Sequence, residues 1–224
     1  MNNLFYAVNT APLRSDAALY ERALSAVSPA RRERVLAIRP QGERCLSLGG
    51  ALLLQNALKT LEIRDPVFAC GDHGKPYLPD FPEVHFNVSH AGEYALCALS
   101  DAPVGCDVER VRPIPPRLPE RVLSPEELAS LTAQPEGAEQ ETLFFRFWTL
   151  KESYLKAVGC GITVELASVS FDLSGDAPLL ARPPFPGQAF FREYADLPGY
   201  RCALCRTAAG EFPPLTAADL CAML

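Results

Sequence analysis

Long apolar runs are missing from this sequence. The longest candidate, residues 46–54, is interrupted by Gly49 and Gly50 and falls short of the ~18 residues that cross a bilayer. The start, Met1-Asn2-Asn3-Leu4-Phe5, carries neither a positive cluster nor an apolar stretch, which reads as no secretion signal. Excess positive charge is missing too. With 21 Lys and Arg against 27 Asp and Glu, the net charge is −6, which weighs against nonspecific nucleic-acid binding but leaves room for a local basic pocket. No Walker loop, kinase motif or GxSxG element is present, so ATP hydrolysis, kinase chemistry and serine hydrolysis are disfavoured. Cysteine is not scarce, at eight. Without a secretion signal the expectation is free thiols in the cytoplasm. Cys202 and Cys205 form a CxxC, but on a strand residues three apart point to opposite faces, and no second pair completes a zinc site.

What is present organises around one helix. Phe144, Phe147, Trp148, Tyr154, Leu155 and Val158 recur at near-helical spacing, and Gly159 and Gly161 follow as stop signals. The helix is expected over roughly 141–158. Glu152 and Lys156 lie four residues apart on one face, and Trp148, the chain's only Trp, sits one turn before Glu152. Trp148 reads as the packing that fixes this helix against its lobe. Taken alone, the Glu–Lys pair reads as an ordinary solvated helix face.

At 224 residues the chain fits one large domain or two small ones. A first strand is expected at 3–9. Helices are expected at 16–27 with Ser15 as N-cap, after Ser28-Pro29, and over 43–61. Short strands follow near 66–69, 84–88, 94–99 and 104–111. A stiff connector spans Pro113-Ile114-Pro115-Pro116, and Ser124-Pro125-Glu126-Glu127 starts a helix with a capping box. Residues 134–140 read as a polar loop. Strands are expected near 168–173, 188–194 and 200–207, and a short helix at 217–223. The halves echo each other, each with a Ser-Pro helix, a longer helix and short strands ending in Tyr94-Ala95-Leu96-Cys97-Ala98 or Tyr200-Arg201-Cys202-Ala203-Leu204. The fold class read from this is α+β, in two similar lobes: an N-terminal lobe at 1–103 and a C-terminal lobe at 104–224. A ligand is expected between them.

Three stretches carry polar groups that a core does not need. In Gly105-Cys106-Asp107-Val108-Glu109 a strand puts Asp107 and Glu109 on one side, with Cα atoms ~6.6 Å apart. Two such carboxylates repel unless a cation lies between them, and hard oxygen donors favour Mg²⁺; the plain alternative is two solvated acids on an edge strand. Phe86-Asn87-Val88-Ser89-His90-Ala91 is an apolar strand ending in polar groups able to bond phosphate, or ordinary turn chemistry. Gly74-Lys75-Pro76 places a cation in a tight turn, or an exposed loop lysine. Together, carboxylates for a divalent ion and cations for phosphate suit metal-assisted phosphoryl transfer.

With GKP (74–76), FNVSH (86–90), GCDVE (105–109) and WTLKESYLKA (148–157) in this order and spacing, the chain resembles the Sfp-type 4′-phosphopantetheinyl transferases. The resemblance spans most of the chain. It implies a pseudo-twofold pair of α+β lobes with the active site between them. It implies transfer of the 4′-phosphopantetheine arm of coenzyme A, the co-substrate, to a serine of an apo acyl or peptidyl carrier protein, with release of 3′,5′-ADP. Asp107, Glu109 and Glu152 would hold Mg²⁺, or Mn²⁺ in its place, with Glu152 also the general base, directly or through water. Lys156 would offset charge on the bridging oxygen and β-phosphate. Arg44, Lys75, Ser89 and His90 would grip the phosphates, with Lys75-Pro76 along the adenine. Arg31 and Arg34 match basic positions that contact the nucleotide in some members. Cys106 stands where the family often has an aliphatic residue, and substitutes as a small apolar group. Residues 117–140 border the expected carrier interface. The resemblance further implies a cytoplasmic monomer with no nucleic-acid or membrane partner. Two competing readings are a non-catalytic relic that binds coenzyme A or a carrier, and a metal phosphoesterase acting on coenzyme A.

Overall fold

Strand alternation decides the layering of this molecule. The computed structural model describes residues 3–224, apart from the side chain of Ile162; Met1 and Asn2, which enter the reading of the chain's start, lie outside them. In chain order the elements are β1 (Leu4–Asn9), α1 (Pro12–Ser15), α2 (Ala17–Ala26), α3 (Pro29–Ala37), α4 (Gln41–Lys59), β2 (Ala69–Cys70), β3 (Pro76–Tyr77), β4 (His85–Ala91), β5 (Tyr94–Ser100) and β6 (Val104–Arg110). There follow α5 (Leu118–Val122), α6 (Pro125–Thr132), α7 (Ala138–Val158), β7 (Ser170–Asp172), β8 (Leu179–Arg182), β9 (Phe190–Tyr194), β10 (Tyr200–Arg206) and β11 (Leu215–Ala217).

One sheet runs β11-β1-β5-β4 and a second runs β6-β10-β9. Leaving aside β11, each lobe repeats one order: first strand, last strand, middle strand. The inner faces of the two sheets share a core that includes Phe5, Leu96, Val104, Cys106, Val108 and Leu204. On the outer side of the first sheet, α4 buries Leu48, Leu52 and Leu53 with Ala95, Cys97 and Leu99. On the outer side of the second, α7 buries Phe144, Phe147 and Leu150 with Ala203 and Cys205. The strands are therefore covered on both faces, which is why β5 reads as continuous apolar sequence rather than as an alternation. The repeated Tyr94 and Tyr200 meet edge to face, with ring centroids 5.0 Å apart.

Several details differ from the sequence reading, among them the start of α7 at Ala138, inside the segment expected as a polar loop. Asp16, not Ser15, caps α2, accepting from the Leu19 N–H at 3.0 Å; Ser15 ends the short α1 instead. The expected helix at 217–223 is absent: β11 pairs parallel with β1, the Ala218 N–H donates to Ala7 O at 2.7 Å, and a turn follows. Pairing at the open edge of β1 outcompetes the weak helical preference of so short a segment. The last residues consequently return to the first lobe, where Leu220 and Met223 are buried, so the division at residue 103 does not hold for them. Trp148 packs against the α7 core, its ring centroid 6.0 Å from that of Phe144, but is only partly buried. The packing that fixes α7 comes from Phe144, Phe145, Phe147, Leu150 and Tyr154.

Cys202 faces the inter-sheet core and Cys205 the α7 core, and all eight cysteines are free. Among the described residues no helix is long and apolar enough to cross a membrane.

Candidate active site

The site exists because α7 lies unusually close to β6. At Gly105 a Cβ atom would run into the Ser153 carbonyl oxygen and the Ala157 backbone nitrogen. Only glycine leaves room for helix backbone against strand backbone. This contact sets the register, so that Lys156 and Glu152 stand over Asp107 and Glu109. The helix ends at Gly159, at φ 76°, whose N–H donates to Leu155 O at 2.8 Å.

A buried ion pair holds α7 from behind. Lys151 Nζ lies 2.5 Å from Glu127 Oε2, both side chains being at most 1% exposed. It also donates to the carbonyls of Val122 at 2.6 Å and Leu166 at 3.0 Å. Glu127 is the capping-box residue of α6: it accepts from the Ser124 N–H, and its other oxygen accepts from the Phe171 N–H, each at 2.8 Å. Lys151 sits inside the motif that carries Glu152 and Lys156, yet it points away from them.

The lobes join at the site. Asn87 on β4 accepts a hydrogen bond from the Cys106 N–H at 2.8 Å, tying the edge of the first sheet to β6. The sequence assigns Asn87 no partner beyond the alternative of turn chemistry; a polar side chain in mid-strand is the signal that points to one. Two residues on, Ser89 Oγ donates to Asp107 Oδ1 at 2.8 Å. Lys156 Nζ donates to the same Oδ1 at 2.5 Å, to Ser89 Oγ at 3.1 Å and to Cys106 O at 3.3 Å. Burial alone would weaken the hold of Lys156 on its proton, but Asp107 more than restores it, and the ammonium is held above its ordinary range.

A cleft of about 330 Å³ opens here, lined by Val88, Ser89, His90, Asp107, Val108, Glu109, Trp148, Glu152 and Lys156. Thus Ser89, His90, Asp107, Glu109, Glu152 and Lys156 come together as expected, and Trp148 forms part of the wall. His90 is exposed at the rim, within electrostatic reach of Arg31 and Glu43. A second cleft of about 320 Å³ shares Glu152 and Lys156 and adds His73, Gly74, Lys75, Pro76, Gly159 and Gly161 among its walls.

The remaining basic residues sit differently. The Lys75 ammonium is spent on backbone: it donates to Val104 O at 3.0 Å, Lys156 O at 2.5 Å and Ala157 O at 3.3 Å. It caps the last carbonyls of α7, and burial away from any carboxylate brings its pKa down to about 8. Arg31 donates to Ser47 O at 2.8 Å and Ser47 Oγ at 3.1 Å. Arg44 is half-buried close to Tyr20, with its Nε unpartnered. Arg34 is exposed on α3.

The carboxylates fit a divalent cation. Asp107 is 4% exposed, and its Oδ2 is buried with no hydrogen-bond partner, a costly state unless a further group meets it. The Glu152 carboxyl is raised above its ordinary range by burial and then by the neighbouring Asp107 and Glu109 charges. The Glu109 carboxyl is raised by burial against a lowering hydrogen bond from Arg112. Among the described residues no three or more His, Cys, Asp or Glu side chains are gathered closely enough to hold a metal ion: Asp107 holds Lys156, and Glu109 Oε2 holds Arg112 at 2.7 Å. An orphan oxygen and mutually repelling oxygen donors are nonetheless what Mg²⁺ relieves.

The chain is similar to known proteins over most of its length. Residues 103–205, which contain β6 and α7, match the family described as the 4′-phosphopantetheinyl transferase superfamily. The chain is 32% identical over 197 residues to 4′-phosphopantetheinyl transferase Sfp of Bacillus subtilis (strain 168), covering 86% of this chain and 87% of that protein. It is 34% identical over 171 residues to 4′-phosphopantetheinyl transferase psf-1 of Bacillus pumilus, covering 74% and 73%. A solved structure, Thermotoga maritima holo-[acyl-carrier-protein] synthase, aligns over 46% of this chain and 61% of its own at TM-score 0.40 and 25% identity. The family model over residues 103–205 and the 32% identity over 86% of the chain show the family: the chain belongs to the Sfp-type 4′-phosphopantetheinyl transferases.

Proposed function

We propose that this chain transfers the 4′-phosphopantetheine arm of coenzyme A to the serine hydroxyl of an apo acyl or peptidyl carrier protein. Asp107, Glu109 and Glu152 would hold the Mg²⁺, with Mn²⁺ as a substitute. The observation that carries this reading is the buried, unpartnered Oδ2 of Asp107 in a cleft that also holds Glu109, Glu152 and Lys156. The ion, when bound, supplies charge neutralisation on the diphosphate oxygens.

The residues divide the rest of the work. Lys156, Ser89 and His90 orient the diphosphate, with the ammonium of Lys156 facing the oxygen that takes up charge as it leaves. Glu152 accepts no hydrogen bond among the described residues and sits with its carboxyl raised, which suits a general base. It takes the proton of the carrier serine as the serine oxygen forms a bond to the β-phosphorus. The bond from that phosphorus to the bridging oxygen breaks, and 3′,5′-ADP departs. Such transfer depends on positioning and electrostatics more than on covalent chemistry. The nucleotide lies along the second cleft, past Gly74 and Pro76, since Glu152 and Lys156 border both clefts. Lys75 contributes by holding the end of α7, and Arg31, within electrostatic reach of His90, and Arg44 would meet the nucleotide phosphate. One chain supplies both walls of the first cleft, which supports a monomer.

The test is mass spectrometry of a panel of apo carriers incubated with coenzyme A, Mg²⁺ and the protein. At least one carrier gains the mass of the arm, and Glu152→Ala abolishes the gain while keeping the fold. If no carrier gains it, the binding-relic reading takes over. Phosphopantetheine released without a carrier marks a phosphoesterase. A wild-type rate for Glu152→Ala removes Glu152 from its role.

A further inference from the structure

Glu109 does not face the cleft unassisted. Its Oε2 accepts from Arg112 Nη1 at 2.7 Å, whereas Oε1 accepts no hydrogen bond among the described residues. The same guanidinium nitrogen also donates to Arg110 O at 3.0 Å. The Arg112 Cζ lies over the Phe145 ring, 4.8 Å from its centroid, and Phe145 is 1% exposed on α7. Arg112 thus spans the end of β6 and the helix that carries Glu152. A surface ion pair by itself is worth little. This one differs because Glu109 is 18% exposed and because the ring fixes a guanidinium that is otherwise 50% exposed.

We infer that Arg112 is a positioning residue for the metal-binding carboxylate of Glu109, holding Oε2 so that Oε1 is presented to the divalent cation. The inference rests on the proposed role of Glu109 as a metal ligand. Carboxylates that ligate metals are themselves held by outer hydrogen bonds, and loss of such a partner typically weakens metal binding 10–100-fold. Phe145 supplies the reason the partner is arginine: a planar cation stacks on the ring while its edge donates, which an ammonium does not reproduce.

The experiment is Mn²⁺ binding followed by electron paramagnetic resonance, with coenzyme A held constant, in the wild type, Arg112→Ala, Arg112→Lys, Glu109→Gln and the double variant Glu109→Gln/Arg112→Ala. Arg112→Ala is expected to weaken Mn²⁺ at least tenfold, Arg112→Lys to fall between it and the wild type, and the double variant to equal Glu109→Gln. Thermal unfolding of the metal-free proteins separates a general loss of structure from this effect. Mn²⁺ binding by Arg112→Ala equal to or tighter than wild type overturns the inference, as does an equal weakening by Arg112→Ala in the Glu109→Gln background. If Glu109→Gln itself binds Mn²⁺ as the wild type does, the assignment of Glu109 as a ligand fails instead.

Discussion

One carboxylate of the site is half satisfied: Oδ1 of Asp107 meets the ammonium of Lys156 at 2.5 Å, while Oδ2 of the same group meets nothing. The first contact holds helix and strand together. The second leaves an acceptor for a ligand. Removing Lys156 leaves Asp107 charged and buried. Breaking a buried pair from one side costs ~3–5 kcal/mol, and the 28% exposure of Lys156 places Lys156→Met at the lower end of that range. The double variant Lys156→Met/Asp107→Asn is expected to regain part of the stability but none of the arm transfer. Denaturant unfolding and carrier mass spectrometry on the same samples check both halves. Equal stability of Lys156→Met and wild type removes the structural half.

Gly105 makes a sharper prediction, because the atoms it would strike are backbone. In Gly105→Ala the new methyl meets the Ser153 carbonyl and the Ala157 nitrogen, and no rotamer relieves that. The helix must move off the strand, carrying Glu152 and Lys156 away from Asp107. The expected result is a loss of transfer of at least 100-fold with a lowered melting temperature. Retention of activity within a few fold shows that α7 shifts without disturbing the cleft.

The fold was largely legible where period and punctuation agreed. Val104, Cys106 and Val108 alternate with Asp107 and Glu109, and the structure places them on the two faces that alternation requires. The Ser28 and Ser124 caps are as read. What escaped was set by distant partners. Three residues, Leu215-Thr216-Ala217, carry too little signal to declare a strand, and their partner β1 lies at the other end of the chain. Lys75 reads from the sequence as a turn cation for phosphate, with an exposed loop lysine as the alternative, because nothing nearby in sequence shows that its ammonium reaches the end of α7. Lys151 was overlooked because helical spacing says which face a residue occupies, not that an acid from α6 waits there.

Glu152 ties the site to pH. Its folded carboxyl is raised above the ordinary 4.5 by burial and by Asp107 and Glu109. A carboxyl raised in the folded state binds its proton more tightly there, so the ionised form costs stability. That cost is absent well below pH 4.5 and grows as pH rises through the folded value. Metal-free Glu152→Gln is therefore expected to melt higher than wild type at pH 7, and this advantage fades toward pH 4. With metal the order reverses, since Mg²⁺ stabilises only a chain that keeps the ligand. Mg²⁺ affinity of the wild type is expected to fall with pH sooner than an unperturbed carboxylate would allow. Thermal melts from pH 4 to 8, with Mg²⁺ or with a chelator, read all three. A metal-free Glu152→Gln less stable than wild type at neutral pH contradicts the strain assigned to this carboxyl.

The Lys151–Glu127 pair tests whether the back of α7 matters for stability or for chemistry. Both side chains are essentially fully buried, so Lys151→Met leaves the Glu127 carboxylate facing apolar surroundings, with only the Ser124 and Phe171 N–H groups as donors. A loss of ~3–5 kcal/mol is expected. Glu127→Gln leaves Lys151 its carbonyl partners at Val122 and Leu166, and costs less. The double variant Lys151→Met/Glu127→Gln removes both charges and is expected to be more stable than Lys151→Met alone, because the unpaired carboxylate rather than the lost attraction dominates the cost. Lys151 faces away from the cleft, so the fraction of the double variant that folds is expected to transfer the arm within about tenfold of wild type, whereas Glu152→Ala does not at any folded fraction. Denaturant midpoints read the first expectation, and carrier modification normalised to folded protein reads the second. A double variant that folds as well as wild type yet transfers nothing shows instead that the buried pair aligns the catalytic face of α7.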